Sequence, residues 1–123
     1  MELDGPAADM KAVLDAMPGA TSAMSPAPPA ALIYKVMGKV FAILSLRAPP
    51  AVGLKCDPHL GDILRGQYDG VGDYRHFLRN WISVRLDADV PWDEALRLTA
   101  GSYERVCAGL TRKQRADLAA LSD

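Results

Sequence analysis

Apolar residues recur along this chain in two rhythms, every third or fourth position towards both ends and every second position through the middle. The first rhythm predicts helices and the second strands. Pro6 suits a first helical turn, and Met10, Val13, Leu14 and Met17 follow at helical spacing until Pro18-Gly19 stops the run. Residues 22–30, Ser-Ala-Met-Ser-Pro-Ala-Pro-Pro-Ala, carry three prolines that deny a ladder its donors, so an extended surface connection is expected there. Alternation begins at Leu32 and predicts strands near 32–36, 40–46 and 51–56, with hairpin breaks at Met37-Gly38 and Ala48-Pro49-Pro50.

Asp57 then offers an N-cap, Pro58 takes the first helical position, and Leu60, Ile63 and Leu64 give one apolar side before Gly66. Gly70-Val71-Gly72 leads into two further extended pieces, near 74–78 and 81–86. Pro91 opens the longest helix, striped by Leu96, Ala100, Tyr103, Val106, Cys107 and Leu110. Gly101 interrupts that stripe at a cost of roughly 1 kcal/mol relative to alanine, which suggests close packing against the sheet. Thr111 and Gln114 have capping-box spacing ahead of a short final helix with Leu118 and Leu121. The order predicts an α+β fold: a two-layer α/β sandwich, one antiparallel sheet in α-β(3)-α-β(2)-α order plus a short extra C-terminal helix, as a single domain over 1–123.

Side chains alternate across a strand, so Val52, Leu54 and Cys56 share one face while Gly53 and Lys55 share the other. Likewise Ile82, Val84 and Leu86 oppose Trp81, Ser83 and Arg85. With all helices on one side, the open face would present Lys35, Lys55, Trp81 and Arg85, with Lys39 at a turn and Arg75 and Arg79 at an edge. Cations around an exposed indole bind phosphates and let bases stack. Isolated cations on a wet sheet face are also ordinary solubility devices, and a Pro-rich segment or terminal helix is an equally good cover for Trp81.

Composition narrows this picture. A net charge of −1 and a pI near 6.1 exclude nucleic-acid binding through bulk charge, so any such binding needs a segregated patch. The N-terminus, Met1-Glu2-Leu3-Asp4, is acidic where a targeting peptide is basic, and no apolar run approaches the roughly 20 residues of a membrane helix. A cytoplasmic protein without membrane contact is expected. Cys56 and Cys107 are too few for a disulfide framework or a zinc site, and they read as reduced, mostly buried thiols.

No catalytic constellation emerges. His59 and His76 lack partners at metal-ligand spacing, and Ser22, Ser25, Ser45, Ser83 and Ser102 lack a nucleophile elbow. Ser102 is expected to bond back to a helix carbonyl. Asp87, Asp89, Asp93 and Glu94 surround the entry to the long helix, where its dipole favours carboxylates. Gly70-Val71-Gly72 is too short, and wrongly placed before a strand, to cradle phosphate. No cofactor, no metal and no enzyme activity are expected.

Pro18-Gly19-Ala20, Lys35-Val36-Met37-Gly38-Lys39-Val40-Phe41-Ala42, Leu54-Lys55-Cys56-Asp57-Pro58, Leu64-Arg65, Trp81-Ile82-Ser83-Val84 and Ser102-Tyr103 together resemble the MmcQ/YjbR family in identity and order, over about residues 12–110. The resemblance implies an α-β(3)-α-β(2)-α layout similar to secretion chaperones and to the frataxin-like (CyaY-like) fold. It also implies a DNA-binding label without carried-over catalytic residues. Asn80 stands where that family commonly has a histidine before the tryptophan, and the Pro-Ala-Pro-Pro run replaces a segment often charged and aromatic. The expected function is a non-enzymatic binding domain taking DNA on Lys35, Lys39, Lys55, Arg79, Trp81 and Arg85. The alternative is a protein-interaction module that holds a peptide or forms a homodimer.

Overall fold

The computed structural model describes residues 3–26, 30–74 and 80–121. The chain runs α1 (Gly5–Asp15), β1 (Ala20–Met24), β2 (Ala31–Val36), β3 (Lys39–Ser45), β4 (Ala51–Lys55), α2 (Pro58–Gln67), β5 (Val71–Asp73), β6 (Trp81–Arg85), α3 (Trp92–Ala108) and α4 (Arg112–Leu121). The six strands form one sheet in the order β1-β2-β3-β4-β6-β5, and every neighbouring pair is antiparallel.

Local chemistry sets the boundaries. Met37 and Gly38 both take positive φ, 50° and 82°, the mirror-image turn whose twist matches the strands it joins. Asp57 accepts from the backbone N–H groups of His59 and Leu60, satisfying two donors that α2 leaves bare. Thr111 and Gln114 close a reciprocal capping box, each side chain accepting from the other's backbone N–H at 3.1 and 2.9 Å.

The register explains the core. Leu32, Tyr34, Ala42, Leu44, Val52, Leu54, Ile82 and Val84 lie on one face, where Met10 and Leu14 of α1, Leu64 of α2 and Ala95, Leu98 and Val106 of α3 pack on them. A bulge falls in β3: Tyr34 opposes Ala42 but Lys35 opposes Val40, which leaves Phe41 as the extra residue. Its ring turns inward and meets Tyr34 and Tyr103 edge-on at centroid separations of 6.2 and 5.3 Å, pairs worth roughly 0.5–1.5 kcal/mol each beyond burial. Gly19, at φ 71°, lies beneath Leu118 of α4 with no room for a β-carbon.

The fold is the expected two-layer α+β arrangement, with one strand more than the α-β(3)-α-β(2)-α order. Residues 20–24 form an edge strand because the prolines at 26, 28 and 29 begin only after it. The strand expected near 74–78 occurs earlier, as β5, and positions 75–78 lie outside the described residues.

Three local expectations are corrected. Gly101 does not pack against the sheet, since a β-carbon built there meets nothing within 4 Å. The Ser102 hydroxyl donates to the Phe41 carbonyl on β3 instead of a carbonyl of its own helix. Asp87 and Asp89 serve strands and turns instead of the α3 dipole: Asp87 pairs with Arg85, and Asp89 accepts from the N–H groups of Asp69 and Gly70.

Candidate functional site

The helices leave the other sheet face open. Ile33, Ile43, Gly53, Ser83 and Gly72 form one cross-strand row on it. The next row contains Lys35 on β2 and the directly paired Lys55 and Trp81 on β4 and β6. Parity therefore brings Lys35, Lys55 and Trp81 to one end of one surface. The ring of Tyr74 rests over Gly53, where an added β-carbon would approach it to 2.8 Å. It meets the Trp81 indole at a centroid distance of 5.9 Å and an angle of 40°. Tyr74, Ile43, Gly53, Ser83 and Ala31 outline a shallow depression of about 180 Å³ beside this pair.

The other expected contacts divide. Arg85 shares the face, but pairs with Ala51 at the far end, four residues or roughly 13 Å from Trp81. Its guanidinium makes a two-point contact with Asp87, at 2.9 and 3.1 Å. That contact raises Arg85 and holds the Asp87 carboxyl below its usual range. Lys39 turns the other way: its Nζ donates to the Gly109 carbonyl at 2.9 Å, at the C-terminus of α3 where the helix dipole favours a cation. It does not join the row. Arg75, His76 and Arg79 lie outside the described residues. Neither Lys35 nor Lys55 has an ion-pair partner among the described residues.

A second concavity, unmarked by sequence reasoning, lies on the helix layer. α2 and α3 form the walls of a groove of about 660 Å³, with Cys56, Leu64, Ile82 and Leu98 among the residues lining it. Leu60 and Ile63 stand half-exposed along α2, and Gly101 leaves the α3 wall bare. The one sequence feature there is Gly101, which reads as close packing against the sheet and instead faces open space. Burial raises the Cys56 thiol, so the sulfur in this groove is a protonated apolar atom and not a thiolate.

Among the described residues, no group of three or more His, Cys, Asp or Glu side chains is gathered to hold a metal ion. His59 sits in the first turn of α2, its backbone N–H on Asp57. Among the described residues, no helix is long and apolar enough to cross a membrane.

Comparison with known proteins agrees with this fold. The protein named Uncharacterized protein YjbR of Escherichia coli is 32% identical over 83 residues, covering 66% of this chain and 70% of the relative. The crystal structure of Deinococcus radiodurans protein DR2400, a DUF419 domain, superposes with a TM-score of 0.81 at 28% identity, covering 95% of this chain and 92% of that one. A Pseudomonas syringae structure shares the fold at 20% identity and a TM-score of 0.56, covering 68% of this chain and 86% of that one. The YjbR family profile matches residues 15–105. With that match spanning all six strands, α2 and most of α3, the chain belongs to the YjbR family.

Proposed function

We propose that the chain is one non-enzymatic binding domain, and that the open sheet face takes a single strand of DNA across Lys35, Lys55 and Trp81. The observation that carries this reading is the register pair Lys55–Trp81, with Lys35 in the same row. Two lysines without ion-pair partners among the described residues supply phosphate contacts, and the Trp81 and Tyr74 rings supply surfaces for unpaired bases. Stacking of this kind contributes roughly 1–3 kcal/mol per base and tolerates sequence variation. A duplex hides its base faces and depends on more phosphate contacts than two lysines offer, so the reading favours single strands. Arg85 joins only by releasing Asp87, and Lys39 only by releasing Gly109. A cytoplasmic location suits this role, since reduced Cys56 and Cys107 persist there.

The test is fluorescence anisotropy with labelled oligothymidine and with a duplex of equal length at low salt, followed by a salt titration. The reading expects weak binding that prefers the single strand, with a log–log salt slope of about −1.4 for two phosphate contacts. Trp81→Ala should weaken it about tenfold or more. Absence of binding at low salt, or equal binding by a Lys35→Glu/Lys55→Glu protein, sinks the reading.

One observation favours a protein partner instead. β1 is an edge strand exposed at four of its five positions, from Thr21 to Met24, and its outer side pairs with no described strand. An extended peptide or a second copy pairing there would lengthen the sheet. Light scattering on the wild type and on Met24→Pro separates the cases, because in this register the Met24 N–H faces outward while that of Ala23 faces β2: an assembly that Met24→Pro abolishes supports strand addition, and a monomer at high concentration removes the homodimer.

A further inference from the structure

We propose that the α2–α3 groove is a binding site for a single-chain amphipathic carboxylate, such as a free medium-chain fatty acid, with its carboxylate at Arg105. This site lies across the sheet from the open face; Lys55 borders both, while Gly101 and Arg105 have no part in the DNA reading. Its dimensions choose the occupant. The α3 wall from Glu94 to Ala108 is roughly 20 Å long at the helical rise, so about 660 Å³ corresponds to a channel roughly 6 Å across. One extended alkyl chain fills a trough of that width, whereas a helix, about 10–12 Å wide with its side chains, could lay only one row of them in it. The groove volume is also in the range of small-ligand sites, roughly 300–1,000 Å³. Leu60, Ile63, Leu64, Ile82 and Leu98 supply the apolar lining, and Gly101 leaves the middle of the α3 wall unfilled.

Charge sets the orientation. Asp57 is engaged as the cap of α2, and Glu94 is paired with Arg97. Lys55 borders the groove from β4, but strand parity carries its side chain to the open face. Arg105 and Glu104 remain, neither with an ion-pair partner among the described residues. Arg105 stands at the end of the groove that holds Cys56 and Asp57, and its guanidinium offers a planar fork to a carboxylate. Glu104 beside it balances that cation, so a monoanion suits this end and a phosphate dianion does not.

The probe is dansyl-undecanoate, whose emission rises in an apolar site, competed by dodecanoate and by its neutral isostere dodecanol. The proposal expects saturable emission at one site per chain and displacement by dodecanoate about tenfold better than by dodecanol. Arg105→Gln should erase that preference, Gly101→Leu should fill the channel and abolish binding, and Arg112→Gln on α4 should change nothing. Thermal melts establish that both groove variants are folded. The proposal is overturned by absence of saturable emission with the wild type. It is equally overturned by unchanged binding to folded Gly101→Leu, by a dodecanoate preference that survives Arg105→Gln, or by a response seen only with anionic phospholipid vesicles.

Discussion

The hydroxyl of Ser102 donates to the backbone carbonyl of Phe41 at 2.6 Å, reaching from α3 into the sheet. It also accepts from the Lys55 N–H at 2.8 Å. The β3–β4 ladder ends at Ala42–Leu54, so Phe41 and Lys55 are the next opposed pair, and the hydroxyl stands between the groups that would have bonded each other. Ser102→Ala should leave both backbone groups without this partner and cost about 1–3 kcal/mol, seen as a lower urea midpoint at unchanged slope. An unchanged midpoint would show that the strands close the gap unaided.

Gly101 is a helix-interior glycine with open space where a side chain would go. Gly101→Ala should therefore stabilise the protein by roughly 0.5–1 kcal/mol, through helix propensity and a less flexible unfolded chain. Calorimetry should show the melting temperature rising by a few degrees. A fall would mean that the alanine methyl meets something in solution that the groove does not contain here.

Gly53 answers oppositely. A β-carbon there would lie 2.8 Å from the Tyr74 ring, so Gly53→Ala should push that ring off the sheet and part it from Trp81. The expected cost is about 1 kcal/mol, with altered indole emission and weaker binding of the single strand if the two rings act together.

Acid should unfold the protein through a small set of carboxylates. Lys11 and then the Tyr34 hydroxyl hold Asp15 below its usual value near 3.8. The backbone N–H groups of Leu60 and His59 lower Asp57. Those of Asp69 and Gly70 lower Asp89. Each folded pKa lies below the unfolded one, so the stabilisation is complete above the unfolded value and is lost as pH falls through the folded values. Urea midpoints should stay level from neutral pH to about 5 and drop below about 4. Asp89→Asn should flatten part of that drop, because the amide does not titrate, and should lower the neutral-pH midpoint, because it has one carbonyl oxygen for two N–H donors.

Most of the fold was legible because period-two alternation in residues 31–55 and 81–86 agrees with the turn chemistry between them. Asp57-Pro58 and Thr111–Gln114 announced two helices through donors that needed partners. β1 was illegible because four of its five residues are small or polar, its one large apolar residue, Met24, is exposed, and its pairing is decided by β2. Lys35, Lys55 and Trp81 could be assigned one face from parity alone, whereas their shared row needed strand order and a bulge position. The release of Lys39 to Gly109 and of Arg85 to Asp87 depended on tertiary neighbours that strand parity does not encode. The α2–α3 groove was hidden for a similar reason: a glycine in an apolar stripe looks the same whether a sheet or empty space faces it.

The insertion of β6 between β4 and β5 has a kinetic consequence. Its partner β4 is separated from it in sequence by all of α2 and β5, so this pairing must close a long loop before any contact rewards it. The nearby hairpin of β2 and β3 needs no such search and should form early. A chain cut between α2 and β5 would yield one piece with a bare β4 edge and another whose Ile82 and Val84 have nothing to cover them, and neither is expected to stand alone.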